Sequence, residues 1–143
     1  MQHRVRAVLL TPTGTLLLMR RIRPGVEPYS VVVGGKVEPT DAGPEEAVLR
    51  EVREEIAGEA TVVRLFHTLE VADERQDFYL ATIEEWNFED RTGPEFSQEG
   101  RGEYLLLEIP LTVEAIDGAN LMPPEIAAVL RDSIGKGELL AFR

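Results

Sequence analysis

Arg50-Glu51-Val52-Arg53-Glu54-Glu55 is the stretch whose residue types and spacing can do chemistry. On a helix, Glu51, Glu54 and Glu55 stand at i, i+3 and i+4 and share one face. Three carboxylates there offer hard oxygen donors of the kind that Mg²⁺ or Mn²⁺ takes alongside water. For a helix on its own the arrangement is unfavourable. Like charges four residues apart repel by roughly 0.2–0.5 kcal/mol, and the second half of a helix disfavours negative charge. Glu46, Arg50 and Glu54 form another row at i, i+4, which offsets part of this repulsion and holds Glu54 in place. From these residues alone two readings stand: a solvated polar face, or a divalent-cation site with positions left open for a phosphate.

Val33-Gly34-Gly35-Lys36-Val37-Glu38-Pro39 lies shortly before that helix. A Gly pair at a strand end lets backbone approach a ligand closely. The run is not a Walker A loop, because no G-x-x-x-x-G-K-[ST] occurs. Gly-Gly-Lys by itself is a turn; followed by the acidic helix, it points to phosphate chemistry.

The elements that must position these residues are legible in outline. Arg4–Leu10 and Thr15–Met19 read as strands joined by a turn at Thr11-Pro12-Thr13-Gly14, and Ser30–Val33 as a short buried strand ending at the Gly pair. Pro44–Ala57 is the best helix, with Gly43 as N-cap, Pro44 at the first position and Val48, Val52 and Ile56 as its core stripe. Thr61–Leu69 and Phe78–Ile83 read as strands around a turn at Asp73-Glu74-Arg75. Residues 84–102 read as a long acidic loop and Tyr104–Ile109 as a strand. Pro123-Pro124 opens a second helix with Ile126, Val129, Leu130 and Ile134 inward. The expectation is one α/β domain over residues 1–143, with strands and helices mixed.

Composition narrows the function. The 143 residues hold 26 acids against 15 bases, a formal charge of −11, with no Cys. That balance repels nucleic-acid polymers and anionic membranes, and no apolar run reaches the length of a membrane span. The apolar run at Met1–Leu10 is too short for a signal peptide. Lack of Cys excludes a disulfide framework and a thiol nucleophile, and fits a reducing, cytoplasmic compartment. The distribution says more than the total. Residues 1–34 carry Arg4, Arg6, Arg20, Arg21 and Arg23 against Glu27 alone, a net of +4, while 35–60 and 70–103 net −5 and −8. A basic start beside an acidic helix suits an anionic ligand held next to a cation. Arg20, Arg21 and Arg23 are candidates for phosphate contact. Tyr29, Phe78, Tyr79 and Trp86 are candidates for base stacking, with the core as their alternative place. His3 and His67 lack a second His at ligand spacing and read as structural or exposed.

The run from Gly34 to Pro39, followed by Glu45-Glu46-Ala47-Val48-Leu49-Arg50-Glu51-Val52-Arg53-Glu54-Glu55, resembles a Nudix box. The family pattern is G-x5-E-x7-R-E-U-x-E-E-x-G-U, with U apolar, and R-E-V-R-E-E matches it at every fixed position. The departures are Asp41 where the pattern has Glu, one extra residue between Asp41 and Arg50, and Ala57 where it has Gly. They touch the loop and the helix exit, not the glutamates. The resemblance implies an α/β (α+β) Nudix fold, a mixed β-sheet sandwiched between helices. It also implies a Mg²⁺- or Mn²⁺-dependent pyrophosphohydrolase that cleaves a nucleoside diphosphate derivative by water attack at phosphorus. By the same carry-over Glu51, Glu54 and Glu55 bind the cations, one of them doubling as base, and Arg50 orients them. The Gly34 carbonyl is a backbone ligand and Glu38 lies near the phosphates. A further acidic ligand is expected from Glu95, Glu99 or Glu103, with Glu99 first. The partner implied is a small nucleotide, and relatives are commonly homodimers. A triphosphate pyrophosphohydrolase of the house-cleaning type and a nucleotide-binding module with little turnover are the alternatives.

Overall fold

The computed structural model describes residues 2–93 and 102–139. Eight strands form one mixed sheet. β1 (Gln2–Leu10), β2 (Thr15–Arg23), β3 (Val26–Val31) and β4 (Val33–Lys36) precede α1 (Pro44–Ile56). β5 (Glu59–Val71) and β6 (Glu74–Glu85) follow, then β7 (Glu103–Pro110), α2 (Val113–Gly118), β8 (Leu121–Met122) and α3 (Pro124–Gly135). The order is β5-β6-β1-β2-β3-β8, with β4 also on β1 and β7 also on β2. β1 runs parallel to β6 and β3 to β8; the other pairs are antiparallel.

One register detail shapes the site. β1 and β2 pair only at Leu9–Leu17 and Leu10–Leu16. Beyond that the strands part: β1 takes β4 as its neighbour from Arg4 to Ala7, and β2 takes β3. The chain crosses the gap at Val32, so the Gly pair lies inside β4 rather than after a strand end. The period-2 alternation of β1 then divides the core. Val5, Ala7 and Leu9 join Ala47, Val48, Val52 and Ile56 under α1. Val8 and Leu10 join Ile126 and Leu130 on the α2–α3 face. Helices thus cover both faces of the sheet, as expected. No helix among the described residues is long and apolar enough to cross a membrane.

α1 forms where Pro44 pre-sets the first turn, and Glu45 and Glu46 there complement its positive end. Gly43 is the N-cap but has no side chain to accept a bond. What holds the helix is burial of Val48, Val52 and Ile56, each fully inaccessible and worth about 1.5–3 kcal/mol. Ala57 ends it in the left-handed region, at φ 49°. Its N–H bonds the Arg53 carbonyl, and the Gly58 N–H bonds that of Val52. Beneath the N-terminal end of the sheet, Asp77 is buried and accepts from Thr68 Oγ1 at 2.8 Å and Arg75 Nε at 3.2 Å, and pairs with His3 Nε2 at 2.6 Å. His3 is therefore structural, one of the two places expected for it.

Most expected strands occur and are longer than read, β5 and β6 extending well past Thr61–Leu69 and Phe78–Ile83, but Ser30–Val33 is divided at Val32 between the end of β3 and the start of β4. Phe78 and Tyr79 are buried core residues. α2 and β8 were not anticipated, and α2 is only six residues long. A short helix carries too little periodicity to be read from sequence.

Ala57 is an L-residue in a conformation that costs about 1–2 kcal/mol outside glycine. Ala57→Gly is expected to stabilise the chain by about 1 kcal/mol in urea unfolding; a neutral or destabilising result would contradict the left-handed helix exit.

Candidate functional site

The site is organised by the Arg50 guanidinium on α1. Its Nε donates to Asp41 Oδ1 at 2.8 Å, and Nη2 donates to Asp41 Oδ2 at 3.1 Å and the Lys36 carbonyl at 2.9 Å. Nη1 donates to Glu51 Oε1 and Glu54 Oε2, both at 3.0 Å. All five N–H donors of the group are used. Glu38 Oε1 stands 3.7 Å from Nη1, while the Glu38 N–H donates to Asp41 Oδ2 at 2.8 Å. One side chain thereby ties the loop after β4 to two of the three glutamates.

Asp41 is the residue that sequence reasoning undervalued. It looked like a substitution in a shifted loop; in the structure its carboxylate, 5 % exposed, grips Arg50 bidentately. Hydrogen bonding from Arg50 holds the Asp41 carboxyl below the usual carboxylate range, and the same bonds raise the Arg50 pKa. The signal available in the sequence was a second acid able to reach the box arginine across the inserted residue.

Glu51 and Glu55 are only 7 % and 9 % exposed, unusual for carboxylates, and Glu54 is half-exposed at the rim. Gly35 makes room for Glu51: a Cβ there would lie 2.7 Å from the carboxylate carbon and from both its oxygens. Gly34, next in the strand, faces the other way, where a Cβ would meet the Val5 carbonyl oxygen at 2.1 Å. The Gly pair thus admits a carboxylate on one face and close strand packing on the other. Arg50 occupies one oxygen each of Glu51 and Glu54, and each carboxylate has two. Among the described residues no three acidic or His side chains are gathered closely enough to hold a metal. The donor chemistry and the Gly35 cradle fit a hard divalent cation entering between Glu51, Glu54 and Glu55.

The other candidates are dispersed. Arg20 lies on the α2–α3 face, donating to Ser30 Oγ at 3.5 Å and to the Ala119 carbonyl at 3.4 Å. Arg21 lies on the α1 face, its guanidinium 4.0 Å from the Tyr104 ring centroid. Arg23 is exposed at the end of β2. Strand alternation separates the first two, so they do not form one cluster. Glu103 is exposed at the start of β7; Glu95 and Glu99 lie outside the described residues. The acidic segment after β6 does reach the site, through its backbone. The Asn87 N–H bonds the Ile56 carbonyl, and the N–H groups of Thr92 and Gly93 bond that of Glu54. These contacts satisfy carbonyls that the helix end leaves open.

Asp41→Asn is expected to destabilise the chain at pH 7 by about 1–2 kcal/mol, through weakened bonds to Arg50. Because the folded pKa of Asp41 is depressed, its contribution is complete above the unfolded value of about 3.9 and fades as pH falls through the lower folded one. Unfolding curves of the two proteins must therefore converge as pH falls below the ordinary carboxylate range; a gap independent of pH would contradict the assignment.

A family model described as NUDIX domain matches residues 1–129. No curated protein matches the chain. Similar solved structures include the E. coli ORF135 protein in solution, 26% identical, with 90% of this chain and 85% of that one aligned and a TM-score of 0.59. A NUDIX hydrolase from Nitrosomonas europaea is 16% identical over 94% and 89%, with a TM-score of 0.70. A UDP-X diphosphatase is 18% identical over 96% of this chain and 64% of that one, with a TM-score of 0.64.

Proposed function

The chain belongs to the NUDIX domain family, whose members are generally pyrophosphohydrolases of nucleotide derivatives, and from that premise we propose that Glu51, Glu54 and Glu55 hold the divalent cations with which it cleaves a pyrophosphate linkage in a nucleoside diphosphate derivative. The observation that carries this reading is the five-donor Arg50, which orients Glu51 and Glu54 on the helix face where Glu55 is also buried. A solvated polar face would leave these carboxylates in water; two of the three are nearly sealed from it.

Bound there, Mg²⁺ or Mn²⁺ would neutralise the pyrophosphate and lower the pKa of a bound water. The chain supplies the rest. Arg50 prevents Glu51 and Glu54 from turning outward, so their carboxylates are held in one orientation toward the proposed cation. Glu55 is nearly as buried as Glu51 and lies outside the Arg50 fork, and we assign it the base that takes a proton from the attacking water. The Gly34 carbonyl, on the strand beside Glu51, is proposed as a backbone ligand, and Glu99 as a further acidic one. Glu38, at the rim beside Arg50, is proposed to lie near the outer phosphate through a bridging cation. Arg21 and Arg23 at the open end of β2 remain substrate candidates; Arg20 is engaged on the far face. With this reading go a small nucleotide as partner and a cytoplasmic setting. The name of the UDP-X diphosphatase among the similar structures agrees with a diphosphate derivative as substrate.

The test is a panel of nucleotide derivatives with Mg²⁺ or Mn²⁺, read as phosphate after phosphatase coupling. Turnover is expected with at least one of them and is lost on chelation. Glu55→Gln should lower kcat by about 10²-fold or more while leaving the melting temperature nearly unchanged. Wild-type kcat in that variant would remove Glu55 from the site. Binding of a nucleotide without any turnover would favour the binding-module alternative.

A further inference from the structure

Glu54 and Glu55 stand in the last turn of α1, which ends at Ile56. Helix ends fray, because their final carbonyls have no partner within the helix. Two of the three glutamates thus sit on the part of α1 least able to hold its own geometry, whereas a ligand set works only when held to within about 0.5 Å. What braces this turn is the segment after β6. The Asn87 N–H bonds the Ile56 carbonyl at 3.0 Å, and the N–H groups of Thr92 and Gly93 both bond the Glu54 carbonyl, at 2.8 and 2.9 Å. Gly93 is buried, so water does not compete easily for its bond. Glu54 is therefore held at two points, its carboxylate by Arg50 at 3.0 Å and its carbonyl by this segment. The two N–H dipoles also face the negative end of α1, where the glutamates crowd.

Between these attachments the segment turns back onto the same helix end. Extended, residues 88–91 would cover about 13 Å. The 3₁₀ turn Phe88–Asp90, rising about 2 Å per residue, draws them in. Asn87 closes that turn: its Oδ1 accepts from the Glu89 N–H at 3.2 Å, and its Nδ2 donates to Asp90 Oδ2 at 3.0 Å. Arg91 supports the other end, donating from Nη1 to the Phe88 carbonyl at 3.0 Å with its guanidinium 4.1 Å from the Phe88 ring centroid. Phe88 and Trp86 pack against the core under α1. Asn87 is exposed, so its side chain serves the turn and not the core.

We propose that Asn87 is a positioning residue for the cation site: its side chain closes a clasp, Asn87–Gly93, that braces the last turn of α1, so that clasp closure and cation binding at Glu51, Glu54 and Glu55 favour one another. The proposal rests on the cation-site reading above and adds to it a residue outside both α1 and the loop after β4. The coupling is reciprocal: whatever factor the closed clasp contributes to cation affinity, the cation contributes to closure.

The test is a Mn²⁺ titration of the full chain, read by the electron paramagnetic resonance of free Mn²⁺. Kd should rise about fivefold in Asn87→Ala and return most of the way in Asn87→Ser, which keeps a capping oxygen. Ile126→Val, on the opposite face of the sheet, loses comparable stability and should leave Kd unchanged. In the metal-free wild type the Thr92 and Gly93 amides should exchange slowly with solvent, more slowly with Mg²⁺ added, and several-fold faster in Asn87→Ala. With a nucleotide that is turned over, the Mg²⁺ concentration for half-maximal rate should rise by the same factor as Kd, while kcat at saturating Mg²⁺ recovers. Wild-type Kd in Asn87→Ala, an equal shift in Ile126→Val, or exchange at Thr92 and Gly93 indifferent to Asn87→Ala would overturn the clasp. If the wild type binds no Mn²⁺, the cation-site reading fails and the clasp's positioning role with it. If Kd shifts as stated but no nucleotide is turned over, the hydrolase reading alone fails and the clasp stands.

Discussion

Five hydrogen bonds from one guanidinium hold this site together. Arg50 faces three carboxylates and a backbone carbonyl, and each of its N–H groups has an acceptor within 3.1 Å. Arginine alone can do this, because its donors lie in a rigid plane that matches carboxylate geometry. Lysine would offer a point charge with three donors. The loop from Lys36 to Asp41 and the helix from Arg50 to Glu54 are thereby fixed to one another, although only the fold brings them together.

That knot explains how an unfavourable helix can exist. Crowding Glu51, Glu54 and Glu55 near the negative end of α1 opposes both the macrodipole and charge repulsion. The offset comes from outside the local sequence. Arg50 neutralises part of the charge, the loop after β6 donates three N–H groups to the carbonyls of Glu54 and Ile56, and buried Val48, Val52 and Ile56 anchor the opposite face. The carboxylates so assembled are the hard oxygen donors that the proposed divalent cation would take, and its charge would offset the remaining repulsion. The excess of acid over base, −11 for the whole chain, is in this region partly buried, with Glu51 and Glu55 nearly sealed from water.

How much of this was legible depended on whether the information was local. The helix Pro44–Ile56, its apolar stripe and the convergence of three glutamates follow from spacing, because a helix makes neighbours of residues three and four apart. Most strands followed from alternation. The role of Asp41 did not, since it comes from a loop conformation that lets an acid nine residues upstream reach Arg50. Nor did the dispersal of Arg20 and Arg21: adjacent in sequence, they project to opposite faces, and a run of basic residues on a strand is two half-runs. The parting of β1 from β2 is also invisible in the sequence, being a matter of which strands pair. It seats β4 beside β1, so that Arg6 pairs with Gly34 on one side and with Phe78 on the other.

The central claim is that the geometry of the Arg50 fork, beyond its charge, makes the three glutamates a cation site. Titrating Mn²⁺ into wild type and Arg50→Lys, both shown folded by circular dichroism, tests it directly. The account predicts binding weakened by about tenfold or more in the variant, as expected when the partner orienting a metal's ligands is lost. Unchanged Mn²⁺ affinity in a folded Arg50→Lys protein would contradict it.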